Sequence, residues 1–373
     1  MIPMVRKGAV VASASVALCL AAAACSSSSS SSPPSGGSSS SPSSTAGTTV
    51  TISVAQFTRD FAAMSTLKPL TTAGKGNVAV LLPDTVTSAR YVQFDAPYLT
   101  QALTAAGLSS SQFTVQNAQG SDQTELSDAQ TAITKGATVL IMDPIDSGVG
   151  AQIETYAKSH GVAVIDYDRL TLGGSRGYYV SFNNVLVGTK IGQGFTACAA
   201  AWHVSKPNVL VMKGDPTDNN ATLFAQGYLG VLNPFFSSGK YVKVGEPAGT
   251  WTPTVALSEF QQNFTAHKNI NAVLTPNDAN AAPIIHYLQT KGVKAKTFPV
   301  TGQDATTIGL QNILAGYQCG TAYKPIYREA QAAATLAIML RAGVKPPASL
   351  VNGARRTRRP IRRCRRCCWL RNG

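Results

Sequence analysis

The sequence predicts an α/β protein built of two similar three-layer lobes, each around a parallel sheet, joined by a hinge. Three observations point there. Short aliphatic, β-branched runs end abruptly on a carboxylate: 78–82 before Pro83-Asp84, 138–142 before Asp143, and 162–165 before Asp166-Tyr167-Asp168-Arg169. Such runs suit strands buried on both faces, delivering polar groups to their carboxyl edge. The runs alternate with helix-period segments, as βαβ units do. The alternation then starts afresh, with strands expected at 207–212, 241–245, 272–276, 298–302 and 319–323. We therefore place a first lobe at 50–184, a second at 185–323 and a return crossing at 324–353. An Asp at a strand end can equally cap the following helix, but Asp168 and Arg169 together favour a site.

The chain begins with a targeting pattern. Arg6 and Lys7 precede an apolar stretch over 9–24, too short for a comfortable membrane span, so 1–24 reads as a signal peptide. Leu20 and four alanines lead into Cys25, which resembles a bacterial lipoprotein signal with Cys25 as the lipidated, palmitate-bearing first residue. Such signals usually carry Leu three residues before the Cys, where this chain has Ala22; plain secretion is the alternative. Ser, Gly and Pro dominate from 26 to 47, so 25–49 is expected to be a tether. Phe57, Phe61, Met64 and Leu67 recur at helical spacing and predict a short amphipathic helix packed on the first lobe. Gly74-Lys75-Gly76 breaks it without the spacing of a phosphate loop. Tyr91, Phe94, Tyr98 and Leu103 mark the next helix, a strand follows at 113–116, and a helix at 149–159 precedes the strand ending on Asp168. The run 178–184 is again extended.

Composition excludes several classes. The net charge of +14 invites a nucleic-acid reading, but nine arginines sit in the last twenty residues and no basic helix or aromatic-interleaved patch appears elsewhere. The four histidines, 160, 203, 267 and 286, lack metal-ligand spacing, and no G-x-S-x-G elbow is present. No metal and no cofactor are expected. Asp168 and Asp304 could be posed as a glycosidase pair. Their Arg, Asn, Gln and Lys neighbours would keep them ionised, the opposite of what an acid catalyst needs. An enzyme is not expected.

The polar motifs come in a definite order: Asp168-Arg169, Ser181-Phe182-Asn183-Asn184, Gly214-Asp215-Pro216-Thr217-Asp218-Asn219-Asn220, Trp251, Asn277-Asp278-Ala279, Gly302-Gln303-Asp304-Ala305 and Tyr323-Lys324-Pro325. From about residue 78 to 353 this series resembles the type I periplasmic sugar-binding family, closest to the D-xylose-binding proteins of ABC transporters. That family binds sugar hydroxyls with the Arg of an Arg-aromatic pair after the first strand, and Arg90-Tyr91 stands at that place. The resemblance implies a sugar-binding set of Arg90, Tyr91, Asp168, Arg169, Asp218, Asn219, Trp251, Asn277, Asp304 and Lys324. The chemistry agrees: carboxylates and amides suit a hydroxyl rim, Arg and Lys add charge-assisted bonds, and an indole can cover a sugar face. Trp251 as plain core, Asn219 and Asn277 as cap residues, and Lys324 as a surface lysine are the bland alternatives.

Cys198 and Cys319 remain in the body. Outside the cytoplasm thiols tend to pair, which predicts a disulfide between them; two buried free thiols are the alternative. Past Gly353 an Arg-Cys run with no apolar period and no family resemblance suggests a shifted reading frame or an aberrant terminus, and Cys364, Cys367 and Cys368 make a poor metal site. The expectation is a monomeric lipoprotein on the outer face of the cell membrane that captures a monosaccharide, D-xylose above others, for an ABC permease. A subunit that senses sugar for a membrane kinase or chemoreceptor is the alternative.

Overall fold

In this computed structural model the described residues are 50–351 and the strand at 367–370. The expected leader, Cys25, the tether and the other residues of the Arg-rich tail lie outside them.

The first lobe is organised on a six-stranded sheet: β1 (Asn77–Leu82), β2 (Phe113–Asn117), β3 (Ala137–Met142), β4 (Ala163–Tyr167), β5 (Tyr178–Phe182) and β9 (Cys367–Leu370), in spatial order β2-β1-β3-β4-β5-β9. Every pairing is parallel. Parallel strands need crossovers, and helices α2 (Ala96–Ala105), α3 (Asp122–Thr134) and α4 (Ser147–Ser159) supply them. The two sheet faces head separate cores. One gathers Val78, Val80, Val139, Ile141 and Ile165 with Leu99 and Leu103 of α2; the other gathers Ala79, Leu81, Leu140 and Met142 with Ile133 of α3 and Ile153 of α4. Alternate residues of one strand thus serve opposite layers.

The second lobe holds β6 (Asn208–Val211), β7 (Val242–Gly245) and β8 (Ala272–Leu274), in order β7-β6-β8, again parallel. Helices α5 (Asn184–Ala201), α6 (Asn219–Ser237), α7 (Pro253–Ala266), α8 (Asp278–Thr290) and α9 (Thr307–Leu314) surround it. The strands expected at 298–302 and 319–323 are reduced to single parallel bridges, Val273 with Val300 and Gln303 with Ala322. Pro299 and Gly302 interrupt the first run and Gly320 the second, and Asp304 and Ala305 lie at left-handed φ of 96° and 50°, which ends the extended backbone there. α5 and α6 meet through glycines: a Cβ on Gly188 would lie 2.1 Å from the Phe224 carbonyl oxygen, and one on Gly227 2.2 Å from that of Val185. Cys198 in α5 is disulfide-bonded to Cys319, with Cα atoms 5.5 Å apart.

The chain returns to the first lobe through α10 (Ile326–Arg341). Its alanines at 330, 332, 333, 334 and 337 are wholly buried, so the helix lies close against the sheet. Two of its buried polar side chains bond to the lead-in: Gln331 Nε2 donates to Thr58 O at 2.9 Å, and Arg341 Nη1 to Thr71 O at 2.8 Å.

One further expectation is corrected. The lead-in is not one amphipathic helix. It comprises short 3-10 stretches at Val54–Gln56 and Ala62–Leu67, then α1 (Lys68–Ala73). Phe61 at φ 59° and a turn in which Thr58 Oγ1 and Ala62 N both donate to Asp60 break the helical path. The apolar residues still do the expected packing, since Phe57, Phe61, Met64 and Leu67 are all buried. The tail, expected to be a shifted reading frame or an aberrant terminus, contributes β9 at the sheet edge beside β5, with Tyr179 opposite Cys367 and Phe182 opposite Leu370.

Candidate functional site

The carboxyl ends of the strands in both lobes face one cleft, the place where open parallel sheets bind ligands. The loop after β1 is shaped by Asp84, whose Oδ1 accepts from Val86 N at 2.7 Å and Thr87 N at 2.6 Å. It therefore acts as the anchor of its own loop rather than as a helix cap, and it presents Ser88, Arg90 and Tyr91.

Arg90 is 1% exposed. Its guanidinium makes a fork on Asp95 (2.8 and 2.7 Å), reaches Glu329 Oε2 at 3.1 Å, and donates through Nη1 to Asp168 Oδ1 at 2.7 Å. Arg169 reaches the carbonyls of Pro144 and Ile145 (3.3 and 2.9 Å) and the Tyr91 hydroxyl (2.9 Å). Its Nε lies 3.5 Å from Asp218 and 3.8 Å from Asp143. Asp168 has a left-handed φ of 53°, which turns the chain out of β4 so that carboxylate and carbonyl both serve the cleft. Burial would push its carboxyl up, but Arg90, Lys324 and Arg169 outweigh that and hold it down at about 2. Burial pushes Asp218 up, against the pull of Arg169. Burial and then Asp168 push Asp143 well up.

The second lobe supplies the facing wall. Asp218 caps α6 through Asn220 N at 2.8 Å, and its other oxygen accepts from Trp251 Nε1 at 3.0 Å. Asn277 caps α8 through Asn280 N at 2.9 Å while its Nδ2 crosses to Thr87 O at 3.1 Å. Capping and cleft roles thus coexist in single side chains. Trp251 is 7% exposed and set edge-on to Phe224, and a Cβ on Gly214 would come within 2.2 Å of its ring. Gly214 is the residue that lets the indole sit there. Lys324, just before α10, places Nζ 3.5 Å from Asp168 and 3.6 Å from Asp304, with the rings of Phe182 and Phe224 each 5.8 Å away.

Nine of the ten expected residues therefore line one cleft: Arg90, Tyr91, Asp168, Arg169, Asp218, Trp251, Asn277, Asp304 and Lys324. Asn219 does not. It opens α6 half-buried, and the next residue, about 100° further round the helix, takes the place. Asn220 donates to Asp168 O at 3.1 Å and receives from Asn184 Nδ2 at 2.6 Å. The sequence reading also missed Thr87, Ser88, Phe224 and Gln303. Gln303 adjoins Asp304 in a motif already singled out, so it was findable. Thr87 and Ser88 sit in a loop with no signature.

The lobes lie in contact, bonded directly by Ser88 to Asp304, Asn277 to Thr87 O and Asn220 to Asp168 O. The space left between them is about 20 Å³, room on the order of one water. A larger hollow of about 660 Å³ lies between α2 and the edge strand β2, but its lining carries no charged side chain. Among the described residues no group of three His, Cys, Asp or Glu could hold a metal ion.

Comparison with known proteins bears on this cleft. Residues 78–345 match the family described as periplasmic binding protein domain. The chain is 37% identical over 243 residues to the D-xylose-binding periplasmic protein of Escherichia coli K12, covering 64% of this chain and 72% of that protein. It is 30% identical to the multiple sugar-binding periplasmic protein of Azospirillum brasilense, over 69% of this chain and 74% of that one. The fold matches a carbohydrate transporter solute-binding protein from Chloroflexus aurantiacus, solved with D-glucose, at TM-score 0.67 and 26% identity, covering 79% of this chain and 90% of that one. These relatives are binding proteins, not enzymes. Since the match spans both lobes and the cleft between them, the chain belongs to the type I periplasmic sugar-binding protein family.

Proposed function

We propose that this protein captures a monosaccharide, D-xylose above others, in the cleft between its lobes and delivers it to an ABC permease. The observation that carries the reading is the convergence, from both lobes, of buried ionic and amide groups around one buried indole. A pyranose needs acceptors and donors around its rim and an apolar surface for its C–H face. Here the acceptors are Asp168, Asp218 and Asp304; the donors are Arg90, Arg169, Lys324 and the amides of Asn220 and Asn277. Trp251 and Phe224 supply the apolar faces.

The groups now bonded across the cleft are the ones a sugar would engage. Entry requires the lobes to part, and hydroxyls then replace some of the lobe-to-lobe bonds as they close. A sugar lacking one hydroxyl would leave a buried group unpaired and bind far more weakly. Chemistry at the sugar is not part of the reading: Asp168, held ionised by three cations, is an acceptor and no proton donor. The 37% identity to a D-xylose-binding relative supports xylose, while the relatives' range of sugars leaves the choice to measurement. Lipidation at Cys25 would keep the protein beside its permease.

Calorimetric titration with D-xylose, D-glucose, D-ribose and L-arabinose tests the reading. One-to-one binding of xylose, tightest of the four and lost in Asp304→Ala, is expected. Binding of another sugar alone would change the substrate; no binding of any by the folded protein would overturn the proposal. Cys25→Ser should release the protein from membranes and abolish palmitate labelling.

A further inference from the structure

We propose that Ser88 positions Asp304 and, with Thr87, clasps the two lobes together in the closed form; this rests on the sugar-binding reading above. Ser88 belongs to the first lobe and Asp304 to the second, and both are at most 5% exposed. The Ser88 hydroxyl donates to Asp304 Oδ2 at 2.7 Å. Its oxygen accepts from Arg90 N at 3.3 Å. A hydroxyl has one proton, so the amide of Arg90 on one side leaves that proton directed at the carboxylate on the other.

The bond divides the labour of Asp304. Oδ2 is committed across the cleft. Oδ1 is buried, accepts no hydrogen bond among the described residues, and has Lys324 Nζ at 3.6 Å. That oxygen is the one presented to a sugar hydroxyl. Without Ser88 the carboxylate would be free to rotate, since on a backbone at φ 96° no other hydrogen bond among the described residues fixes its Oδ2. The neighbouring carbonyl of Thr87, held by Asn277 Nδ2 at 3.1 Å, makes the second half of the clasp. Asp84 preforms the whole loop from the first-lobe side, so closure has no loop to order.

A bond present only after closure stabilises the bound form and not the encounter. Removing it should therefore speed dissociation and leave association nearly unchanged. Stopped-flow and calorimetric titration of Ser88→Ala with D-xylose should show Kd raised about ten- to hundredfold, the range for a hydrogen bond to a charged group. The change should fall in the off-rate, with one site per chain retained. Ser88→Thr keeps the hydroxyl and should return Kd to within about threefold of wild type. Unchanged affinity in Ser88→Ala, a loss confined to the on-rate, or Ser88→Thr as weak as Ser88→Ala would each overturn the proposal. Small-angle scattering without sugar gives an independent arm, in which Ser88→Ala should have the larger radius of gyration. Equal radii would overturn the clasp. If wild type binds none of the sugars, the functional reading fails while this arm still judges the clasp.

Discussion

Asp168 concentrates much of the cleft in one residue. Its carboxylate faces Arg90 and Lys324, and its carbonyl accepts from Ser181 Oγ at 2.8 Å, Tyr179 Oη at 3.1 Å and Asn220 Nδ2 at 3.1 Å. Asp168→Asn should abolish sugar binding. It should also destabilise the protein by about 3–5 kcal/mol at pH 7, because buried cations lose their partner. The folded carboxyl near 2 lies below the ordinary value of about 3.9. Its contribution is thus complete above about pH 4 and lost as pH falls through 2, and the gap between wild type and Asp168→Asn in urea unfolding should narrow there. Glu125 behaves in the opposite sense. Burial pushes it up to about 8 while Ile145 N donates to it at 3.0 Å. The folded protein therefore holds a proton the unfolded chain has released, and stability should fall as pH rises from about 4.5 through 8. Glu125→Gln should flatten that decline between pH 6 and 8. The sequence displayed Asp168 and Arg169 because they follow an apolar strand, and the motif order pointed to nine residues that line the cleft. It did not show Ser88, since a hydroxyl in a Thr-Val-Thr-Ser loop becomes a cleft group only through the Asp84 turn. Nor did it separate Asn219 from Asn220, because helix phase depends on where Asp218 caps.

Elements were legible where one physical rule dominates. Fully buried parallel strands such as β1, β3 and β4 have no polar face to blur their pattern. The lead-in was misjudged because its apolar spacing fits a helix while Phe61, at φ 59°, breaks one. The reduced strands near Val300 and Ala322 failed for a similar reason, being extended runs pairing at one residue each. Neither periodicity nor composition exposes the α5–α6 contact, where glycines let two backbones approach. Gly188→Ala should cost about 1–3 kcal/mol, the range for overpacking a rigid site, and more if α6 cannot shift. Since α6 carries Asp218, Asn220 and Phe224 at its amino end, the same substitution should weaken sugar binding. A thermal melt run beside the titration reads both, and a melt unchanged from wild type would show that the helices have room to part.

At the scale of the whole molecule, two lobes connect through the β5–α5 junction and through the segment entering α10. The second carries Lys324 into the cleft and so links the backbone path directly to the ligand groups. Tyr323, next to it, accepts from Arg59 Nη2 at 2.9 Å, which ties the lead-in to the same crossing. The disulfide gives this layout a topological consequence. Cys198 and Cys319 are 121 residues apart, and the chain between them contains β6, β7, β8 and helices α6 to α9. Nearly all of the second lobe is therefore a covalent ring hung from the first. Closing a ring of this size restrains the unfolded chain by roughly 4–5 kcal/mol on the chain-entropy account. A protease that cuts once anywhere inside it should leave a single band on a non-reducing gel and two after reduction. Such a ring lets an extracytoplasmic protein suffer a cut in one loop and still keep both halves of its binding site on one molecule.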